Sequence, residues 1–452
     1  EYILAVNDLD HVTSESLRSA ISHLLEATRL DPNYARAFST LGRAYFSLLS
    51  WGAINESDAI AAARTAASRA LDISPDSAEA LAVLGMAELF DGNRDAGEQL
   101  LKRAIENGPN DTVALNYYAR YLRSVARPIE AIEYYQKMLR LDPLSEAAHV
   151  ALSETYRSVR QYSNAKETIT RFKRIDPNSV YADSEIFFME RQQGNFAAAV
   201  ATMNDSLARV PDDTDPESAS QLAQVYLALE MPEEAQRLFD RATEIDALHP
   251  TSRSGPLWVN YLLQQNQNDS VRLASELLDD RIDNRFGSRV IALITLYEHG
   301  ANTGHYDLLL ESLDNLYPTL LDDPPHDLDK SLTGTLHAGM ALIGNGDVDR
   351  GSNYLHFFLN QNEPYREVYG VGLGSVVASL VLGDIQGALD KLADFSQYPY
   401  RDFSNGLLVE HSSLFDPIRD EPAFIALLTE YRENAEKQRR ILRVMNEDTS
   451  ER

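Results

Sequence analysis

Three arginines, Arg123, Arg157 and Arg191, stand 34 residues apart. Guanidinium forks grip carboxylates through paired, charge-assisted hydrogen bonds, so a regular row of them suits an acidic peptide or a small carboxylate. Other candidates carry less. Asp91-Gly92-Asn93-Arg94-Asp95-Ala96-Gly97 has the composition of a calcium loop. Its glycine comes one place late and no glutamate closes the loop, so it is read as a turn between helices. Gly370-Val371-Gly372-Leu373-Gly374-Ser375 follows no strand and lacks the Lys-Ser/Thr ending of a phosphate loop. Its glycines are read as small residues for close helix packing. The ten histidines include no HExxH and no carboxylate at ligand spacing, and His149 is read as a core histidine. There is no cysteine, which excludes disulfides, thiolate catalysis and Cys-ligated metal. No catalytic residue, metal ligand or cofactor is expected, and the segment is read as a non-enzyme.

Charge narrows the partners. The 41 basic residues face 69 acidic ones, a net charge of -28. Such a surface repels nucleic-acid phosphates and anionic lipid, so no nucleic acid is expected as partner. The longest apolar runs, such as Val376 to Leu382, fall far short of the ~20 residues that cross a bilayer. No membrane insertion by this segment is expected.

The elements that must position the arginines follow from a ruler of prolines. Pro32, Pro75, Pro109, Pro143, Pro177 and Pro211 are spaced 43, 34, 34, 34 and 34. Within each interval small residues recur in register, at Gly42, Gly85 and Ala119 and again at Ala63, Gly97, Ala131 and Ala165. Large ones recur at Leu41, Tyr45, Leu84 and Leu101. Small residues on two facing helices let the backbones approach, while the residue before each proline is pushed out of the α region and ends the second helix. The second repeat, which ends at Pro75, is nine residues longer than the others, and the excess is placed in the turn around Leu49 to Ser57, where Trp51 is either a ligand contact or folded over a helix end.

A 34-residue period with these marks resembles the tetratricopeptide repeat. The fold expected is all-α: a right-handed superhelix of helix pairs over residues 1–250, with repeats near 1–34, 35–77, 78–111, 112–145, 146–179, 180–213 and 216–249. Degenerate hairpins follow over 251–400, with turns at Gly304-His305-Tyr306, Gly344 to Asp347 and Gly383-Asp384 and a linker at Asp322 to Asp327. Capping helices are expected over 401–452, including a polar helix from Pro422 to Asn446 that covers the end of the stack.

The opening LLEATRLDPNYARAFSTLGRAYFSLLSWG and the closing Ser413 to Phe424 resemble the ends of the repeat region in two groups of bacterial signalling proteins. These are class III adenylate or guanylate cyclases with C-terminal repeats and membrane-spanning winged-helix transcription activators. The resemblance implies a sensor or interaction domain, a catalytic or DNA-binding module lying N-terminal to it, and repeats on the periplasmic side of a membrane; a cytoplasmic location is the alternative. Glu1 falls inside a repeat, so the chain is read as a segment of something longer.

In this repeat, positions 2, 5, 9, 12 and 13 of the first helix face the concave groove. Position 12 supplies Arg123, Arg157 and Arg191; position 9 adds Arg43 and Arg120, and position 5 adds Asn116. The sharp reading is a groove of Arg43, Asn116, Arg120, Arg123, Arg157 and Arg191 that holds an acidic peptide, a protein segment or a small carboxylate. The structural alternative is that these arginines pair with acids such as Glu154, Glu185 and Glu190 and tie neighbouring units together. A second copy of the chain, forming a homodimer, is kept among the partners. Two other function classes are an assembly scaffold or co-chaperone, and the non-catalytic part of a glycosyltransferase.

Overall fold

The computed structural model describes residues 1–10, 14–50, 53–209, 216–247, 249–262, 267–279, 286–322, 328, 331–369, 372–396 and 409–450. Trp51, residues 323–327 of the expected linker and Gly370-Val371 lie outside the described residues.

The described residues are helical, with no strand among them. The first five pairs are α1 (Tyr2–Asp10) with α2 (Ser14–Leu30), α3 (Ala35–Ser50) with α4 (Glu56–Ile73), α5 (Ala78–Phe90) with α6 (Arg94–Asn107), α7 (Thr112–Ser124) with α8 (Pro128–Leu141), and α9 (Glu146–Ser158) with α10 (Tyr162–Ile175). Next come α11 (Val180–Gln192) with α12 (Phe196–Arg209), α13 (Pro216–Ala228) with α14 (Pro232–Ile245), and α15 (Pro250–Leu262) with α16 (Gln267–Asp279). The pairing continues through α17 (Phe286–Thr303) with α18 (Asp307–Leu316), α19 (Leu332–Gly344) with α20 (Val348–Tyr369), and α21 (Leu373–Val381) with α22 (Ile385–Ser396). A 3₁₀ turn (Ser413–Ile418) and a long helix, α23 (Pro422–Ser450), end the chain.

Local chemistry sets these boundaries. Helices α2, α4, α6, α8 and α10 each stop one residue short of an X-Pro pair, as the prolines require. Two residues after Pro75, Pro109, Pro143 and Pro177 comes a short polar side chain that starts the next helix, whereas Tyr34 holds that place after Pro32. Ser77, Asp111, Ser145 and Ser179 accept the backbone N–H of Ala80, Ala114, Ala148 and Ala182. One orphan donor is satisfied in each of these four repeats, a contribution of about 1 kcal/mol per cap.

The turn inside each pair has its own device. Gly92, Ala126, Arg160, Gly194 and Glu230 all have φ between 52° and 82°. Counted from the first residue of their respective first helices, each is the fifteenth residue. At the calcium-like segment the Asn93 N–H returns to the Glu88 carbonyl (2.8 Å) and the Gly92 N–H to Leu89 (3.1 Å), which is a helix C-cap. The long second repeat departs from expectation. Helix α3 has 16 residues against 13 in α5, and α4 has 18 against 14 in α6, so seven of the nine extra residues lengthen the helices rather than the turn.

Close packing takes the form the small residues imply. A Cβ on Gly85 would lie 3.1 Å from the Gly97 carbonyl, and one on Gly97 would lie 2.9 Å from that of Gly85. Gly374, in the glycine run, packs against Phe358 and Leu336. His149 is 1% exposed, and its ring Nδ1 meets the Ser145 carbonyl at 2.8 Å.

Two compact units divide the described residues, 1–168 and 169–450. Cores of the first are the cluster of α1 to α4 and a larger one running from α3 to α9. In the second, α23 does more than cap. Its first turns, through Phe424, Leu427 and Leu428, join the core of α19 to α22. Its later turns reach α12, where Ala435 and Leu442 are buried with Phe187, Phe196 and Val200. The Gln438 side chain accepts the Ala197 N–H (3.1 Å), Asn434 donates to the Gly194 carbonyl (3.1 Å) and Arg439 donates to the Leu229 carbonyl (2.8 Å). Helix α23 thus ties the last pairs of this unit to its first.

Candidate functional site

Helix α7 presents Asn116, Arg120 and Arg123 at i, i+4 and i+7, one face of the helix. On one side of it stand α3 and α5, with Arg43 on α3; on the other stands α9 with Arg157. These five residues lie in the first unit. Arg191 lies on α11 in the second unit, 8% exposed, with its guanidinium carbon 5.9 Å from the Phe188 ring centroid.

The charges are partly answered from neighbouring repeats. Arg43 donates from Nε to Glu79 Oε1 (3.0 Å), and Ser39 donates to the other oxygen of that carboxylate (2.8 Å). Arg123 donates from Nη1 to Glu154 Oε2 (2.9 Å). Desolvation works to raise the Glu154 pKa, but the hydrogen bond and charge of Arg123, with Arg157 and Arg120 behind it, outweigh that and hold the carboxyl below its ordinary value. Glu154 is therefore an anion faced by three cations. Near Glu79 the Tyr117 hydroxyl is pushed up by burial, against the opposing charges of Arg120 and Arg43.

Arg120 is exposed and Asn116 half-buried, and neither side chain makes a hydrogen bond or ion pair among the described residues. The groove so combines ion-paired cations at Arg43 and Arg123 with an amide and a guanidinium one helical turn apart that hold no hydrogen bond among the described residues, Arg120 feeling Glu154 only at longer range. Such a pair can donate to both oxygens of a carboxylate. Sequence reasoning passed over Glu79. Its signal was available, since an acid at position 2 of one repeat faces a cation at position 9 of the repeat before it.

Tetratricopeptide-repeat family descriptions match residues 55–112, 83–146 and 190–251. Superkiller protein 3 of Schizosaccharomyces pombe is 23% identical over 250 residues, 54% of this chain and 17% of that protein. The transcriptional regulator HilA of Salmonella typhimurium is 25% identical over 149 residues, 33% of this chain and 27% of that protein. The chain thus spans well under a third of either relative. A tetratricopeptide repeat protein from Parabacteroides merdae, 14% identical, aligns with a TM-score of 0.42 over 61% of this chain and 98% of its own.

Proposed function

We propose that this scaffold of tetratricopeptide-type repeats, suited by its fold to protein–protein interaction, holds an acidic peptide segment in the groove of its second to fifth repeats. Asn116 and Arg120 are the engaging pair, Arg157 extends the grip, and Arg43 and Arg123 set the local field through their bonds to Glu79 and Glu154. The observation that carries this reading is the exposed, unpaired guanidinium of Arg120 in a chain that otherwise carries a large excess of acid. The segment acts by binding and not by turnover. Its parent is a bacterial signalling protein, a reading supported by the opening and closing phrases of the sequence and by the partial similarity to a transcriptional regulator.

The test is an array of Asp/Glu-rich peptides, each in free-acid and amidated form, probed with the full chain and with Arg120→Ala. A shielded charge-assisted bond contributes ~1.5 to 3 kcal/mol, so the variant should bind its best peptide about tenfold or more weakly at an unchanged melting temperature. Equal binding by the two proteins across the array would sink the proposal. Arg157→Ala should weaken the same peptides.

A further inference from the structure

The second unit holds a cavity unrelated to the arginine groove. It encloses about 300 Å³ and is lined by Asn260 and Tyr261 of α15, Ser270 of α16, Glu298 and His299 of α17, and His411 beside the 3₁₀ turn. That volume is at the small end of the ~300–1,000 Å³ range of ligand pockets, the scale of a metabolite rather than a peptide. Most of the residues that line it are polar, Val271 is an aliphatic one, and no lysine or arginine is among them.

Glu298 is the carboxylate among its lining residues. Tyr261 donates to Glu298 Oε1 at 3.0 Å, and the Ser412 hydroxyl donates to the same oxygen. Ser412 is itself fully buried and fixed, since its carbonyl accepts Arg419 Nη2 at 2.8 Å and its hydroxyl caps the Leu414 N–H. The carboxylate is therefore oriented from two sides. Burial raises its pKa, with the charge of Asp416 adding to the effect, against the pull of Ser412, Tyr261 and the Ser413 backbone. Among the described residues no three His, Cys, Asp or Glu side chains converge as a metal site needs. A desolvated carboxylate held by neutral donors, in a molecule of net charge -28, is a receptor for one positive charge.

We propose that this cavity binds a small polar amine, with Glu298 taking the ammonium group and the amides and imidazoles around it taking the rest of the molecule. Calorimetry and thermal melts of the full chain with 4-amino-1-butanol, which carries one ammonium group at neutral pH, against 1,4-butanediol as its uncharged isostere, test it. The amino alcohol should bind and raise the melting temperature, and butanediol should do neither. Glu298→Gln should lose at least tenfold in affinity for the amino alcohol, and Asn302→Trp, at an exposed lining position, should block binding with Glu298 intact. Arg120→Ala should leave it unchanged, which separates this site from the groove. No heat and no melting shift with the amino alcohol, a response to butanediol of equal size, or a full response in Asn302→Trp would each overturn the proposal.

Discussion

At the residue scale, the arginine row was legible because its spacing equals the repeat period, and period fixes position on a helix. What no spacing could give was which charges are already answered. Arg123 and Arg120 are both arginines of one helix face, yet Glu154 bonds directly to the first, while the second makes no hydrogen bond or ion pair among the described residues. The fifteenth position of each repeat was equally hidden. Gly92 and Gly194 announce a left-handed residue, but Ala126, Arg160 and Glu230 occupy the same conformation without any sequence sign. A side chain there costs ~1–2 kcal/mol, against roughly 0.5–1 kcal/mol of extra unfolded-state entropy for glycine. Arg160→Gly should therefore raise stability by about 0.5–1 kcal/mol, and Gly92→Ala should lower it by about 1 kcal/mol. Denaturant midpoints of the two variants check this, and a loss in Arg160→Gly would show that the arginine side chain is what holds its turn.

At the element scale, the stops of α2, α4, α6, α8 and α10 followed from X-Pro, and the starts of α5, α7, α9 and α11 from the polar cap two residues on. The C-terminal helix was legible as a helix and as a cap, but not in its fold-back. Its apolar residues mark a stripe, and a stripe does not name a partner some 240 residues away. Gln438 carries that contact. It is 5% exposed and answers the first-turn N–H of Ala197. Gln438→Leu keeps the bulk and orphans that donor, which costs ~1–3 kcal/mol. The variant should melt lower, whereas Arg440→Ala, which removes an exposed intrahelical pair, should change little.

Another element-scale effect belongs to α19. His337 is 3% exposed and its Nδ1–H meets the Thr333 carbonyl at 2.8 Å. Burial lowers its pKa from 6.5 to about 4. The folded ring stays neutral while the unfolded chain takes up a proton, so stability present above pH ~6.5 is lost as the pH falls toward ~4. That loss is on the order of 3 kcal/mol at one pH unit per ~1.36 kcal/mol. In His337→Gln the acid limb of the melting-temperature profile should flatten across this window. An unchanged profile would assign the acid sensitivity elsewhere.

At the scale of the whole molecule, charge opposes the fold that packing builds. Each helix pair buries its apolar face on its neighbours, so a solenoid grows by adding local contacts and keeps a large surface for its length. On that surface lie 69 acidic residues and 41 basic ones. The ion pairs that cross between repeats, Arg43 with Glu79 and Arg123 with Glu154, use only a few of them. The remaining excess repels itself across distances comparable to the ~10 Å screening length at 0.1 M salt. Raising ionic strength therefore acts in two directions. It relieves the long-range repulsion of the folded state, and it weakens the short-range attraction of exposed Arg120 for an acidic ligand. Partly shielded pairs such as Arg43 with Glu79 are affected least. Between about 20 mM and 0.5 M sodium chloride, where the screening length falls from roughly 20 Å to about 4 Å, the free chain should melt progressively higher. Over the same range the peptide chosen from the array should bind progressively more weakly. A melting temperature that falls with salt would mean that the inter-repeat ion pairs outweigh the net charge, and binding that strengthens with salt would mean that the ligand is held by apolar contact instead of by Arg120.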